Sequence, residues 1–128
     1  MKRRVVITGL GLITPLGTGV EKSWEALCAG RSGVARITRF APAGMRTQIA
    51  AEVKDFHAED FIDNRKVARR TDRFQQYAIA VAQMAVADAG MEINHSNGTR
   101  VGVSMGTILG GLESLQAGHE QWLKGAVS

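Results

Sequence analysis

The chain has 128 residues, of which 45% are hydrophobic and 22% are charged, and its formal net charge is +4. This composition is typical of a globular protein and excludes a disordered chain, and because no run approaches the roughly 20 apolar residues of a membrane helix, we expect no membrane partner. The single cysteine, Cys28, excludes an internal disulfide framework and a paired-cysteine metal site, and it is consistent with a cytoplasmic location.

The first predicted element is the β-branched run RVVIT at residues 4–8, which ends at Gly9. Apolar residues on both alternating faces predict a strand buried on both sides, as in a parallel sheet. The glycines at 9 and 11 resemble the start of a dinucleotide-binding turn, but the third glycine of that motif would fall at Thr14, and Pro15 blocks entry into a helix. A nucleotide-binding domain is therefore the least favoured function, and no cofactor is predicted.

The first predicted helix covers residues 18–30. Thr18 and Glu21 have the spacing of a capping box. The residues that share its apolar face are Val20, Trp24, Leu27 and Cys28. We expect this face to be buried, so that Cys28 is a small core residue and not a reactive thiol.

The next segment is predicted to contain little regular structure. Residues 32–43 are expected to be irregular, and residues 48–53 could form one strand of an outlying hairpin. His57 lies in an acidic stretch with no second histidine or cysteine at metal-ligand spacing, so a surface position is expected and no metal site is predicted.

Residues 65–90, RKVARRTDRFQQYAIAVAQMAVADAG, begin with a basic half. Its cations are Arg65, Lys66, Arg69, Arg70 and Arg73. Asp63 or Asn64 can start a short helix through this run. Aromatic residues for base stacking are scarce, so nucleic acid is not predicted as a partner. On these residues alone, a solvated charged face is the simplest interpretation.

The second half of this stretch is apolar or small at almost every position, which predicts a buried helix. Asp72 and Gln75 have capping-box spacing at its start, and Gly90 stands where a left-handed residue would end it. Its many alanines would allow other backbones to pack closely against it.

The composition of residues 100–105 predicts a second buried strand, and the order strand, helix, long helix, strand predicts a right-handed crossover in a parallel α/β sheet. The glycine-rich turn at residues 106–111 follows directly, where ligands of such sheets bind. It lacks a phosphate-binding lysine, so a nonpolar ligand suits it better than a phosphate, although a plain packing turn explains it equally well. A weaker helix is expected over residues 112–124.

Two interior strands cannot form a stable sheet without neighbours. We therefore expect these 128 residues to be part of a larger domain and, in isolation, to expose apolar surface. No catalytic constellation is visible, since the reactive residue types are scattered over different elements. These residues are Cys28, His57, His95 and His119.

Five segments, in order, resemble the N-terminal region of β-ketoacyl-[acyl carrier protein] synthases, most closely the elongating type of bacterial fatty acid synthesis. They are residues 3–17 (RRVVITGLGLITPLG), 23–34 (SWEALCAGRSGV), 51–56 (AEVKDF), 65–90 and 100–114 (RVGVSMGTILGGLES). The resemblance runs over essentially the whole chain but covers only the first part of a family chain.

The resemblance implies a thiolase-like, layered αβαβα fold, of which residues 1–128 would be the N-terminal part of the first domain, in a homodimer. It also implies transfer of an acyl group from acyl carrier protein to a cysteine, followed by decarboxylative condensation with malonyl-carrier protein. The family's cysteine lies at a helix N-terminus, which favours thiolate. None of the catalytic cysteine and histidine positions falls in this sequence, so the 128-residue chain alone is expected to lack condensing activity.

Two sets of residues carry over from the family. Lys66, Arg69 and Arg70 match basic positions that dock the acidic carrier protein, and Leu109 matches an apolar position that lines the acyl pocket. Ile108, beside Leu109 in the expected pocket, replaces a common glycine, which puts the length of the pocket in question.

Other interpretations remain open on the sequence. The chain could belong to a non-catalytic chain-length factor, which keeps the fold without the nucleophile, or to a polyketide ketosynthase with a different chain preference. A stand-alone carrier-protein-binding fragment is a further alternative.

Overall fold

The computed structural model describes residues 3–125, which form two compact units. The first unit extends to His57 and includes Val81–Met91, and the second contains Ala58–Ala80 and continues from Glu92. The strands are β1 (Ile13–Thr14), β2 (Gly17–Thr18), β3 (Val34–Arg36) and β4 (Ile49–Ala51). The helices are α1 (Val20–Cys28), α2 (Arg65–Arg70), α3 (Arg73–Asp88) and α4 (Leu112–Leu123), with short 3-10 turns at Ala58–Asp60 and Gly98–Arg100.

Both sheets of the first unit are antiparallel pairs. In one, β1 pairs with β2, with Ile13 opposite Thr18. In the other, β3 pairs with β4, with Val34 opposite Ala51, which confirms the predicted hairpin strand and adds a strand inside a segment expected to be irregular.

The predicted capping box of α1 is wrong. The helix begins after Gly19, whose φ of 99° suits glycine, and no side chain caps it. Thr18 instead belongs to β2, and its buried hydroxyl has no hydrogen-bond partner among the described residues. The start of α1 is held by the buried Ser23, whose hydroxyl donates to the Gly17 carbonyl at 3.1 Å.

The predicted burial of the apolar face of α1 is also wrong. Trp24 and Leu27 are 63% and 58% exposed, and Cys28 is exposed as well, so it is not a core residue. The residues that α1 buries are the small Ser23 and Ala26, because the helix turns this side toward β1 and β2.

The two predicted parallel strands do not form in this structure. Residues 4–8 and 101–105 have no regular structure, and Val5, Ile7 and Val103 are 93%, 82% and 80% exposed. An interior strand needs hydrogen-bonding partners on both edges, and neither segment joins a sheet within residues 3–125. The predicted crossover is therefore not formed, whereas the predicted exposure of apolar surface is observed.

The division of residues 65–90 into two helices is confirmed. Asn64 caps α2 by accepting hydrogen bonds from the Lys66 and Val67 amides at 3.0 and 3.4 Å. At the start of α3, the Gln75 side chain accepts from the Asp72 amide at 2.9 Å, which is one half of the predicted capping box.

The predicted left-handed end of α3 is confirmed at Gly90, which has a φ of 58°. The Gly90 amide donates to the Ala87 carbonyl and the Met91 amide to the Val86 carbonyl, the pattern of a Schellman motif. Burial is less complete than predicted, because Ala80 is the one α3 residue that is fully buried in the described structure and most of its other apolar residues are half-buried.

In the first unit, the glycines at 9 and 11 pack against the last turns of α3. A Cβ atom at Gly9 would lie 2.2 Å from the Ala85 carbonyl oxygen, and one at Gly11 would lie 2.2 Å from the Val81 carbonyl oxygen. Between them, the Leu10 amide donates to the Asp88 carboxylate at 2.8 Å. The small residues of α3 thus allow the close backbone approach that the sequence predicts, and the two glycines serve helix packing.

Candidate functional site

Helix α2, in the second unit, presents an exposed cationic surface, which we call the basic surface. Its residues are Arg65, Lys66, Arg69 and Arg70, and all are exposed. Lys66, Arg69 and Arg70 follow i, i+3, i+4 spacing on one side of the helix, while Ala68, only 5% exposed, faces inward. Within residues 3–125 none of these three side chains has an ion-pair or hydrogen-bond partner. Their charges are therefore available to an external anionic partner.

Arg73, the last cation of the basic run, is used differently. Its guanidinium lies 5.6 Å from the centre of the Tyr77 ring, one turn further along α3. This distance fits a cation–π contact. Arg73 thus differs from Lys66, Arg69 and Arg70, the three residues predicted to dock a partner, because its guanidinium contacts an aromatic ring of the same chain.

The orientation of α2 is fixed by a side chain from α3. The Gln76 amide donates to the Ala68 carbonyl at 2.8 Å and to the Thr71 carbonyl at 3.0 Å. These carbonyls lie at the end of α2, where the helix cannot satisfy its own acceptors. The start of α3 therefore contributes to how the basic surface is presented, together with the 3-10 turn at Ala58–Asp60 that contacts α2.

The glycine-rich turn at residues 106–111 packs on the same first turn of α3. A Cβ atom at Gly110 would lie 2.9 Å from the Phe74 ring, so the turn crosses the ring in direct contact. Gly111 precedes α4 with a φ of 78°, and a Cβ atom there would lie 3.1 Å from the Asp72 carboxylate. Both positions require glycine, one for space and the other chiefly for its backbone conformation.

An open cleft of about 230 Å³ lies beside this turn. It is lined by Asp72, Arg73, Phe74, Leu109, Leu112 and Glu113. Leu109, which is 72% exposed, contributes to the cleft, whereas Ile108 does not line it and is 97% exposed. The sequence predicts that Ile108 and Leu109 line one apolar pocket. In the structure, Leu109 lines this cleft and Ile108 does not.

Sequence reasoning missed the role of Ser114. Its hydroxyl donates to the Asp72 carboxylate at 2.5 Å, which joins the start of α4 to the start of α3. The sequence predicts Asp72 only as a helix cap, and no sequence pattern links two residues that stand 42 positions apart.

The carboxyl group of Glu52 has a lowered pKa. The pKa of Glu52 lies below its ordinary value of 4.5, chiefly because the Thr38 hydroxyl donates to it at 2.7 Å. The Thr38 and Arg39 amides add hydrogen bonds at 3.1 Å. The carboxylate therefore ties the chain after β4 to the chain after β3, and its role is structural.

The remaining reactive residue types do not come together as a catalytic group. Cys28 is the last residue of α1 and is exposed. His57 lies in a loop, and His119 stacks on Trp122 with ring centres 6.1 Å apart.

Over residues 3–125, no cluster of three or more potential ligand side chains could hold a metal ion. None of the helices there is long and apolar enough to span a bilayer.

Residues 2–126 match the family model described as "Beta-ketoacyl synthase, N-terminal domain". The chain belongs to this family, and the predicted thiolase-like α/β fold class is thereby confirmed.

Among its relatives, a protein of Coxiella burnetii named 3-oxoacyl-[acyl-carrier-protein] synthase 2 is 48% identical over 122 residues, which are 95% of this chain and 29% of the relative. Proteins of the same name from Vibrio cholerae and Staphylococcus aureus are each 44% identical over 119 residues, 93% of this chain and 28% of theirs. The chain thus spans less than a third of the length of these relatives.

A solved structure named "The ishigamide ketosynthase/chain length factor" is also similar, with a TM-score of 0.79 and 38% sequence identity. The similarity covers 98% of this chain and 31% of that one.

Proposed function

We propose that these residues are the N-terminal portion of an elongating β-ketoacyl-[acyl carrier protein] synthase. Such an enzyme transfers an acyl group from its carrier protein to a cysteine and condenses it with malonyl-carrier protein. The observation that carries the proposal is the family match over residues 2–126, together with 44% to 48% identity to proteins named 3-oxoacyl-[acyl-carrier-protein] synthase 2. The nucleophile and the histidines are assigned to the longer protein, which we expect to be a cytoplasmic homodimer.

In this proposal the basic surface receives the acidic carrier protein through Lys66, Arg69 and Arg70. The exposure of these residues, and their lack of acidic partners within the described structure, support this role, because docking would break no internal ion pair. Complementary charge mainly raises the rate of encounter and sets orientation, and it is weakened by salt.

The cleft beside the glycine-rich turn is the proposed contact for the acyl chain. Leu109 and Leu112 offer apolar surface there, next to the Phe74 ring. We propose that Leu109 contacts the acyl chain in this cleft. We propose that Ile108 lines a neighbouring part of the acyl pocket, which residues outside this cleft complete.

The docking role can be tested in the longer protein by reversing the three charges with K66E/R69E/R70E. We expect KM for acyl-carrier substrate to rise by about tenfold or more at low salt, and kcat with a small acyl thioester to change little. The matched control is R31E/R46E/K124E, which makes the same change of net charge at three other exposed cations. An equal rise of KM in the control, or an unchanged KM in the first variant, would contradict the docking role.

A chain-length factor is the second candidate, because the similar solved structure is named as a ketosynthase/chain length factor. Such a subunit would share the carrier-binding features without a nucleophile. The residue at the family's cysteine position in the longer protein distinguishes the two, since a cysteine that is labelled by an acyl-carrier substrate supports the enzyme.

A further inference from the structure

The segment of the second unit that bears Leu109 has little internal structure to fix it. Three of the six residues at positions 106–111 are glycines, and both of its large side chains, Ile108 and Leu109, are mostly exposed. A segment with few buried contacts moves unless other elements hold it. Its position must therefore come from what it touches.

Two of the contacts that hold this turn differ in kind. The Phe74 ring packs against Gly110, which is an apolar contact that tolerates sliding. The Asp72 carboxylate accepts the Ser114 hydroxyl in α4, and it also lies against Gly111. A hydrogen bond to a charged acceptor is directional and stronger than a neutral one, so it fixes the register of the turn on α3.

The Asp72 carboxylate is well placed for this task. The start of α4 has no side chain of its own as a cap, because its N-cap residue is Gly111. A negative group near that end of the helix is stabilising. The Asp72 amide is in turn held by Gln75, so the carboxylate projects from a fixed helix start.

We propose that Asp72 and Ser114 form a positioning pair that holds Leu109 in place and so sets the acyl-chain preference of the cleft. This inference rests on the proposed function, because it assigns the pair an effect on substrate selection. An apolar pocket distinguishes substrates by single methylene groups, so a small displacement of Leu109 changes the preference measurably. Neither residue takes part in the chemical step.

The test uses the longer protein with S114A, which removes the donor, and S114T, which keeps a hydroxyl. The measured quantity is the ratio of kcat/KM for a long-chain to that for a short-chain acyl-carrier substrate. We expect this ratio to change by about threefold to tenfold in S114A and to return toward the parent value in S114T. KM for malonyl-carrier protein should stay unchanged, which separates altered selection from general damage.

Two further variants control for folding and for position. In D72N the amide oxygen can still accept the Ser114 hydroxyl but the negative charge is lost, so the ratio should change less than in D72A, which removes both the acceptor and the charge. Q116A removes a hydrogen bond that lies wholly within α4, to Glu120, and should leave the ratio unchanged.

Amide hydrogen exchange of residues 106–112 gives a readout that does not depend on activity. Exchange should be faster in S114A than in the parent and in Q116A. If no variant and no parent protein forms condensation product, the proposed function fails, and faster exchange still supports the positioning pair. An unchanged chain-length ratio in an active S114A enzyme, or unchanged exchange in an inactive one, overturns the inference.

Discussion

At the scale of single residues, the glycines at 9 and 11 determine how closely two backbones approach. At both positions an added Cβ atom would lie 2.2 Å from a carbonyl oxygen of α3, far inside van der Waals contact. The obstacle is helix backbone, which cannot move aside as a flexible side chain can. Substitution must therefore displace the segment or the helix.

We expect G11A to lower the free energy of unfolding by about 1–3 kcal/mol, the usual cost of overpacking. The control is G118A, in the interior of α4, where an added Cβ atom meets nothing within 4 Å. Alanine there should be neutral or stabilising, because it favours helix. Chemical denaturation of both variants measures the difference, and equal stabilities would show that the close approach is unimportant.

The sequence identified these glycines but could not identify their partner. Thr14 and Pro15 were enough to exclude a dinucleotide-binding turn, because that motif depends only on residues close together in the sequence. The contact with α3 joins Leu10 to Asp88 across 78 positions, and no local pattern records such a pairing. The same holds for Asp72 and Ser114.

Glu52 gives a prediction about pH. Because its pKa is lowered in the folded state, the ionised carboxylate contributes stability above its ordinary pKa of 4.5. That contribution is lost as pH falls through the lower, folded-state pKa. E52Q should therefore be less stable than the parent at pH 7, and the difference should shrink in acid. Urea denaturation at several pH values measures this, and a difference that is constant with pH would contradict the assignment.

At the scale of elements, Gln76 connects the end of α2 to α3. Q76L removes both donors and leaves the Ala68 and Thr71 carbonyls without this partner, at a cost of about 1–3 kcal/mol if they stay buried. We expect faster amide exchange in α2 and a weaker effect in α3. Q83L is the matched control, because Gln83 is exposed on the same helix. Equal exchange in the two variants would show that α2 is held by other contacts.

Helix boundaries were easier to predict than helix faces. Asn64, Gln75 and Gly90 act through neighbours in sequence, so their roles could be inferred from local chemistry. In α1 the periodic apolar face around Trp24 indicated the helix correctly but not its burial. Which side is covered depends on β1 and β2, and these pack on the small residues Ser23 and Ala26.

At the scale of the whole molecule, the most informative feature is the exposure of residues that the sequence marks as interior. Val5 and Ile7 are 93% and 82% exposed, and Val103 is 80% exposed. The β-branched composition of these segments fits strands covered on both faces. The composition was therefore sufficient to predict these strands. They do not form here because a strand also requires neighbouring strands as hydrogen-bonding partners.

If residues 4–8 become an interior strand in the longer protein, V6D should affect the two contexts differently. In the longer protein a buried, unpaired carboxylate would prevent folding or lower the unfolding free energy by several kcal/mol. In the isolated chain Val6 is 67% exposed, and V6D should leave stability unchanged within about 0.5 kcal/mol. M45D, at an exposed loop position outside both predicted strands, should be tolerated in both contexts. Thermal melting compares the four variants with their two parent proteins, and a V6D effect of equal size in both contexts would show that residues 4–8 do not enter a sheet.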